Sequence, residues 1–143
     1  MSDKMKTKEP LDESTVNDLK KKSNKIRKHI IEMIYSAKSG HPGGSLSSAD
    51  IVTSLYFHIM NHDPKNPSWP ERDRFILSKG HAALAHYAAL CEAGFFEKEE
   101  LTGVKCLGSM LQGHPDMNKT PGVEANTGSL GQGLSIVLGM ALG

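Results

Sequence analysis

The sequence predicts a helix-rich domain with one short strand-like segment lying between its helices, and three observations carry that expectation. Ile26, Ile30, Met33, Ile34 and Ala37 recur at steps of three and four residues, the spacing of a single helix face. Ala82, Ala83, Ala85, Ala88, Ala89 and Ala93 fill a second helical stretch with side chains small enough to admit a close neighbour. Between the two, "RFILS" at 74–78 is short, apolar and strand-like, and leads into Gly80.

Taken in order, residues 1–10 are polar and lysine-rich and read as a flexible tail. A helix is expected from Asp12 to Ser39, with Gly40 placed to stop it. A second helix starts at once, because Ser47 followed by Asp50 is an N-terminal capping pattern. Ile51, Val52, Leu55, Ile59 and Met60 would mark its apolar face. "SGHPGGSLS" is then a helix-to-helix corner. "NHDPKNPSWPERD" holds three prolines in thirteen residues and must be a loop. The alanine helix runs from about His81 to Ala93 and is capped by Gly94, and "EKEEL" forms one helical turn. Residues 103–127 form a long irregular connection, and "GSLGQGLSIVLGMALG" a glycine turn leading into a tightly packed helix. Its apolar end reads as a chain cut inside a larger domain.

A length of 143 residues, with 38% hydrophobic and 23% charged, is enough for one domain with its own core. Seventeen Lys and Arg against sixteen Asp and Glu leave a net charge of +1, which gives no electrostatic reason to expect nucleic acid or a membrane as partner. Cys91 and Cys106 lack CxxC spacing and read as reduced, part-buried thiols. No apolar run is long enough to span a bilayer and the N-terminus lacks a signal-peptide core, so a cytoplasmic protein is expected.

Three histidines share a local form: Gly40-His41-Pro42, Gly80-His81-Ala82 and Gly113-His114-Pro115. Imidazoles that donate, accept and change charge near neutral pH suit a hydroxylated substrate and proton relay. Taken singly, three unrelated capping or surface histidines explain the pattern as well. "TGSLGQG" at 127–133 offers bare backbone amides before a helix, suited to phosphate oxygens or to close helix packing. It is not a dinucleotide fingerprint. His58 and His62 lie one helical turn apart but lack a third metal ligand and an HExxH glutamate, so a helix-end pair is the expectation. No serine sits in a GxSxG elbow and neither cysteine has a neighbourhood that would lower its pKa, so the hard chemistry would fall to a cofactor.

Together "RKHIIEMIYSAKSGHPGGSLSSADI", "DRFILSKGHAALAHYAAL", "QGHPD" and "NTGSLGQGLSIVLGMALG" resemble transketolase, and within it the N-terminal subunit of the split, two-chain form. The likeness runs from about Leu19 to Gly143, four motifs in the family's order. It implies an α/β, thiamin diphosphate-binding fold with a parallel sheet flanked by helices. Residues 11–143 would be the first, helix-rich part of the diphosphate-binding domain. It implies that His41 and His114 contact the sugar and serve catalysis, that His81 lies by the cofactor diphosphate, and that Gly128, Ser129 and Leu130 form the cofactor-contacting turn. Proline is common in the family where this chain has Ser129, a mild change if the contacts come from backbone.

The implied activity is a transferase of carbohydrate metabolism, in the pentose phosphate pathway. It moves a two-carbon ketol unit from a ketose phosphate to an aldose phosphate with thiamin diphosphate and magnesium. The family's Gly-Asp-Gly and downstream asparagine, which hold the metal, would lie beyond residue 143, so no metal ligand is assigned here. The implied partner is a C-terminal transketolase subunit, in an assembly of two N-terminal and two C-terminal chains, and the isolated chain is expected to be inactive. Two alternatives stand beside this reading. One is a non-catalytic truncated relative with an interaction or structural role. The other is a neighbouring thiamin enzyme such as deoxyxylulose-phosphate synthase, against which "GHPG" and "GHPD" argue.

Overall fold

A computed structural model describes residues 11–143; the tail expected at 1–10 lies outside the described residues. Helix α1, Glu13–Ala37, starts at Asp12, whose carboxylate accepts hydrogen bonds from the Thr15 backbone N–H at 2.8 Å and the Thr15 hydroxyl at 2.7 Å. Its inward stripe is Ser23, Ile26, His29, Ile30 and Met33. The helix stops two residues earlier than expected, because Lys38 rather than Gly40 takes the left-handed conformation, with φ 50°. Gly40 serves packing instead: a Cβ there would lie 2.7 Å from Ile34 Cγ1 and 3.2 Å from Leu84 Cδ1.

The glycine-rich corner holds a helical turn of its own. Pro42 opens α2, Pro42–Leu46, from the first-turn position where its fixed φ and missing N–H cost nothing. The longer helix expected after it is broken into α3, Ala49–Ser54, and a π-helical turn, Leu55–Ile59. Ser47 does not cap it; the Ser47 and Ser48 hydroxyls donate to Gly44 O at 3.1 and 3.0 Å. The expected apolar face is corrected too. Ile51 and Ile59 are 60% and 54% exposed, while Ala49, Val52, Thr53 and Tyr56 point inward. The wide turn adds a residue and shifts the phase after Ser54, which accounts for Ile59, whereas Ile51 precedes the turn and lies on the outer face of α3.

The strand expected at 74–78 does not form, and no strand occurs among the described residues. Apolar content buries Leu77 and packs Phe75 on the core, but a strand also needs a neighbour to complete its hydrogen-bond ladder. None is present in 11–143.

The centre of the molecule is α4, Ala83–Glu92, entered through a 3-10 turn, Gly80–Ala82. Every residue from Ala83 to Leu90 is buried, and the alanines let α1 and α3 approach from different sides. Gly94, with φ 90°, follows its end, and "EKEEL" lies in the 3-10 helix Lys98–Gly103. The connection from 103 to 131 is irregular, and α5, Gln132–Leu142, follows. The proline loop is fastened to this connection by Arg72, whose Nε and Nη2 donate to the two Glu124 carboxylate oxygens at 2.7 Å each. His29 joins α1 to α4, its ring nitrogens 3.1 Å from Glu32 and 2.8 Å from Glu92 carboxylate oxygens.

His86 is buried beside Phe75 and shares a 2.7 Å hydrogen bond with the Tyr56 hydroxyl. Burial lowers its pKa from 6.5 to about 3. Below pH 6.5 the unfolded chain therefore binds a proton that the folded chain does not take up until about pH 3. Stability at this residue is full above that window and falls with acidification through it, by up to about 1.4 kcal/mol per pH unit. Denaturant unfolding of the wild type and of His86→Gln from pH 7 to pH 4 should show the variant losing less stability on acidification; parallel curves would refute the assignment.

Candidate functional site

The three Gly-His pairs, far apart in sequence, meet at one end of α4. His41 flanks α2 and is exposed; His81 sits half-buried in the 3-10 turn before α4. Their rings meet edge to face, with centroids 5.2 Å apart. Gly44 makes this possible, since a Cβ there would press within 3.1 Å of His81 Cδ2 and Nε2. Lys79 Nζ holds the two turns together, donating to Gly44 O at 2.8 Å and to Ser47 Oγ at 3.1 Å.

Gly80 joins His81 to the second glycine cluster. A Cβ at this position would fall 2.6 Å from the Thr127 carbonyl carbon and 2.8 Å from Gly128 N, so the two backbones touch directly. His114 lies on the other side of that turn, its ring about one Cβ contact from Gly128, at 3.6 Å. The first turn of α5 is fixed to the same region by the Gly133 N–H, which donates to Ser78 Oγ at 3.2 Å. All six residues singled out from sequence, His41, His81, His114, Gly128, Ser129 and Leu130, therefore surround one surface.

That surface suits a diphosphate. Gly128, Ser129 and Leu130 are exposed, and Gly131 takes φ 85° to turn the chain into α5. The amides of 128–131 donate to no protein group among the described residues. Thr127 Oγ1 and Ser45 Oγ, in the turns on either side of His81, are buried without a hydrogen-bond partner. Free N–H groups at the head of an 11-residue helix are a physical match for phosphate oxygens. The exposed imidazoles of His41 and His114 flank the turn where a hydroxylated substrate would need donors and acceptors.

Other candidate chemistry falls away. His58 and His62 do not share a helix face: the π-helical turn ends at Ile59, and His62 Nε2 bonds to Tyr56 O at 2.7 Å. No group of three His, Cys, Asp or Glu could hold a metal ion among the described residues. Both cysteines are free; Cys91 is half-buried, with its thiol pushed up by burial, and Cys106 is exposed rather than part-buried. No helix among the described residues is long and apolar enough to cross a membrane.

Sequence reasoning missed Lys79, the contact role of Gly80, and Asn126, whose Oδ1 accepts from the Met117 N–H at 2.7 Å and ties the His114 loop to the glycine turn. Only Gly80 left a signal, as a glycine directly before an alanine-rich helix. Gly80→Ala should force the Thr127–Gly128 backbone outward and disorder the end of α4, lowering stability by about 2 kcal/mol or more. An unfolding midpoint equal to wild type would mean that the contact yields freely.

The chain is similar to known proteins over most of its described length. The family described as transketolase, thiamine diphosphate binding domain, matches residues 19–143. The 6-deoxy-6-sulfo-D-fructose transketolase subunit SqwG of Clostridium sp. (strain MSTE9) is 50% identical over 125 residues, covering 87% of this chain and 46% of that protein. An apulose-4-phosphate transketolase subunit of Phocaeicola vulgatus is 46% identical over 127 residues, 89% of this chain and 45% of its own length. Among solved structures, transketolase from Leishmania mexicana superposes with a TM-score of 0.83 at 38% identity, over 87% of this chain and 19% of that one. The chain thus spans about half the length of the split-subunit relatives it matches. The helices described above are the helix-rich portion of the α/β fold those structures share, and the chain belongs to the transketolase family, in its thiamine diphosphate-binding domain.

Proposed function

We propose that this chain is part of a split transketolase, moving a two-carbon ketol unit from a ketose phosphate to an aldose phosphate. The observation that carries the reading is the convergence of His41, His81 and His114 on the free amides of the 128–131 turn. Thiamin diphosphate, when bound, supplies the carbon nucleophile that cleaves and re-forms the carbon–carbon bond. The protein's work is to hold and orient.

The amides of Gly128, Ser129 and Leu130 would take diphosphate oxygens, and His81, backed by Gly44 and Gly80, would stand beside them. His41 and His114, exposed on either side, would bond the sugar's hydroxyls and its carbonyl oxygen, where charge changes as the bond breaks. Magnesium would be held by ligands outside residues 11–143. A C-terminal subunit would complete the enzyme, as two N-terminal and two C-terminal chains, in the cytoplasm and in pentose phosphate metabolism. The relatives' names, with apulose-4-phosphate and 6-deoxy-6-sulfo-D-fructose, support a substrate class of ketoses with an anionic end, whose member is to be assayed.

The test is calorimetric titration of thiamin diphosphate with magnesium into the chain alone and into its mixture with the matching C-terminal subunit, followed by a ketol-transfer assay. Binding and turnover in the mixture are expected. Binding in neither sample would favour an interaction subunit without catalysis. In the complete enzyme, His81→Ala should weaken thiamin diphosphate affinity about tenfold or more. His114→Ala should lower kcat/KM for the sugar by roughly 10²-fold or more with cofactor affinity unchanged. Normal sugar kinetics in His114→Ala would remove its assigned role.

A further inference from the structure

An exposed histidine on an irregular loop can orient a substrate only if its backbone is fixed, and the loop carrying His114 has no regular secondary structure to fix it. Its support comes from α4. Tyr87 is fully buried in that helix, and its hydroxyl lies 2.9 Å from Gln112 O and 3.0 Å from His114 O. One phenol proton is thus shared between the carbonyls at either end of the Gln112-Gly113-His114 segment.

The segment needs such an anchor because Gly113 between the two carbonyls adds backbone freedom. Downstream, the Met117 N–H to Asn126 bond holds the loop to the glycine turn, so Tyr87 governs the side from which the chain enters His114. His81 lies in the 3-10 turn that runs directly into this helix, six residues before Tyr87. The turn and the helix together therefore space the residue proposed for the cofactor from the residue proposed for the sugar. Burial raises the phenol's pKa, so the hydroxyl remains a donor throughout the pH range in which an enzyme would be assayed.

We propose that Tyr87 is a positioning residue for His114, setting the height of its imidazole above the glycine turn through the backbone carbonyl. The proposal rests on the reading of His114 as a sugar contact. Tyr87→Phe keeps the buried ring and removes only the hydroxyl.

The experiment compares wild type, Tyr87→Phe, His114→Ala and the double variant in the complete two-chain enzyme. Readouts are kcat and KM for the ketose donor, thiamin diphosphate affinity and the thermal midpoint. Tyr87→Phe should lower kcat/KM about tenfold with cofactor affinity within twofold of wild type. In the His114→Ala background the same change should have almost no further effect on sugar kinetics. A lowered midpoint with unchanged kinetics would make Tyr87 merely structural and overturn the proposal, as would a tenfold loss that persists without the His114 ring. If Tyr87→Phe does not assemble, Tyr87→Leu and Tyr87→Met, which also lack a donor, replace it, and full sugar kinetics in either assembled variant would likewise overturn it. Normal kinetics in His114→Ala itself would instead remove the underlying reading of the site, a result separable from failure of Tyr87 alone.

Discussion

The site depends on a backbone-to-backbone contact: Gly80 lies against Thr127 and Gly128 with no room for a methyl group between them. Two segments almost fifty residues apart are joined there without intervening side chains. Because a peptide backbone is far stiffer than a side chain, the contact fixes His81 relative to the glycine turn with little slack. Two further glycines bring backbone close against a side chain. Gly44 sits under the His81 ring, and Gly133 is so close to Ser78 that an added Cβ would lie 2.6 Å from Ser78 Cβ. Glycines here are selected for nearness more than for turning, since Gly44, Gly80 and Gly133 do not occupy the left-handed region.

What lets these contacts coexist is α4. A helix buried on every side must be met by neighbours at close range, and a row of alanines permits that without cavities. Polar groups within the same helix then have to be satisfied internally. Tyr87 does so through two loop carbonyls, while His86 pairs Nε2 with the Tyr56 hydroxyl and leaves its buried Nδ1 without a partner among the described residues. The packing requirement of the fold and the placement of the candidate site's His114 loop are thus met by one element.

The sequence made α1, the proline loop, the alanine helix and α5 legible because each rests on local rules of periodicity, proline content or glycine placement. Asp12 at the start of α1 followed from capping chemistry. The break of the expected helix into α3 and a π-helical turn was not legible, because such a turn preserves the look of a helical pattern while shifting its phase. Lys38 in a left-handed conformation shows the same limit: Gly40 was the local favourite, but the tight fit against Ile34 and Leu84 claimed that glycine first. The strand failed for a non-local reason, since no run of residues announces whether its ladder partner is present. At the site, the histidines and the glycine turn could be found as motifs, whereas Lys79 and Asn126 act through contacts across 35 and 9 positions and carry no local signature.

The apolar surface of α5 follows from the same logic. Leu134, Leu138 and Leu142 are 77%, 60% and 82% exposed, on a helix whose first turn is nevertheless fixed to Ser78. A helix hydrophobic on most of its circumference belongs in an interior, and the described residues cover only its start. The relatives are about twice as long as this chain, so covering material is available to the family even though it lies outside residues 11–143. The end of α5 nearest the candidate diphosphate turn is therefore the part that these residues can hold alone. The proposed cofactor surface and the exposed apolar face of α5 meet on the same helix. Occupation of the turn and burial of α5 should consequently be coupled, each restricting the motions that the other would otherwise have to oppose.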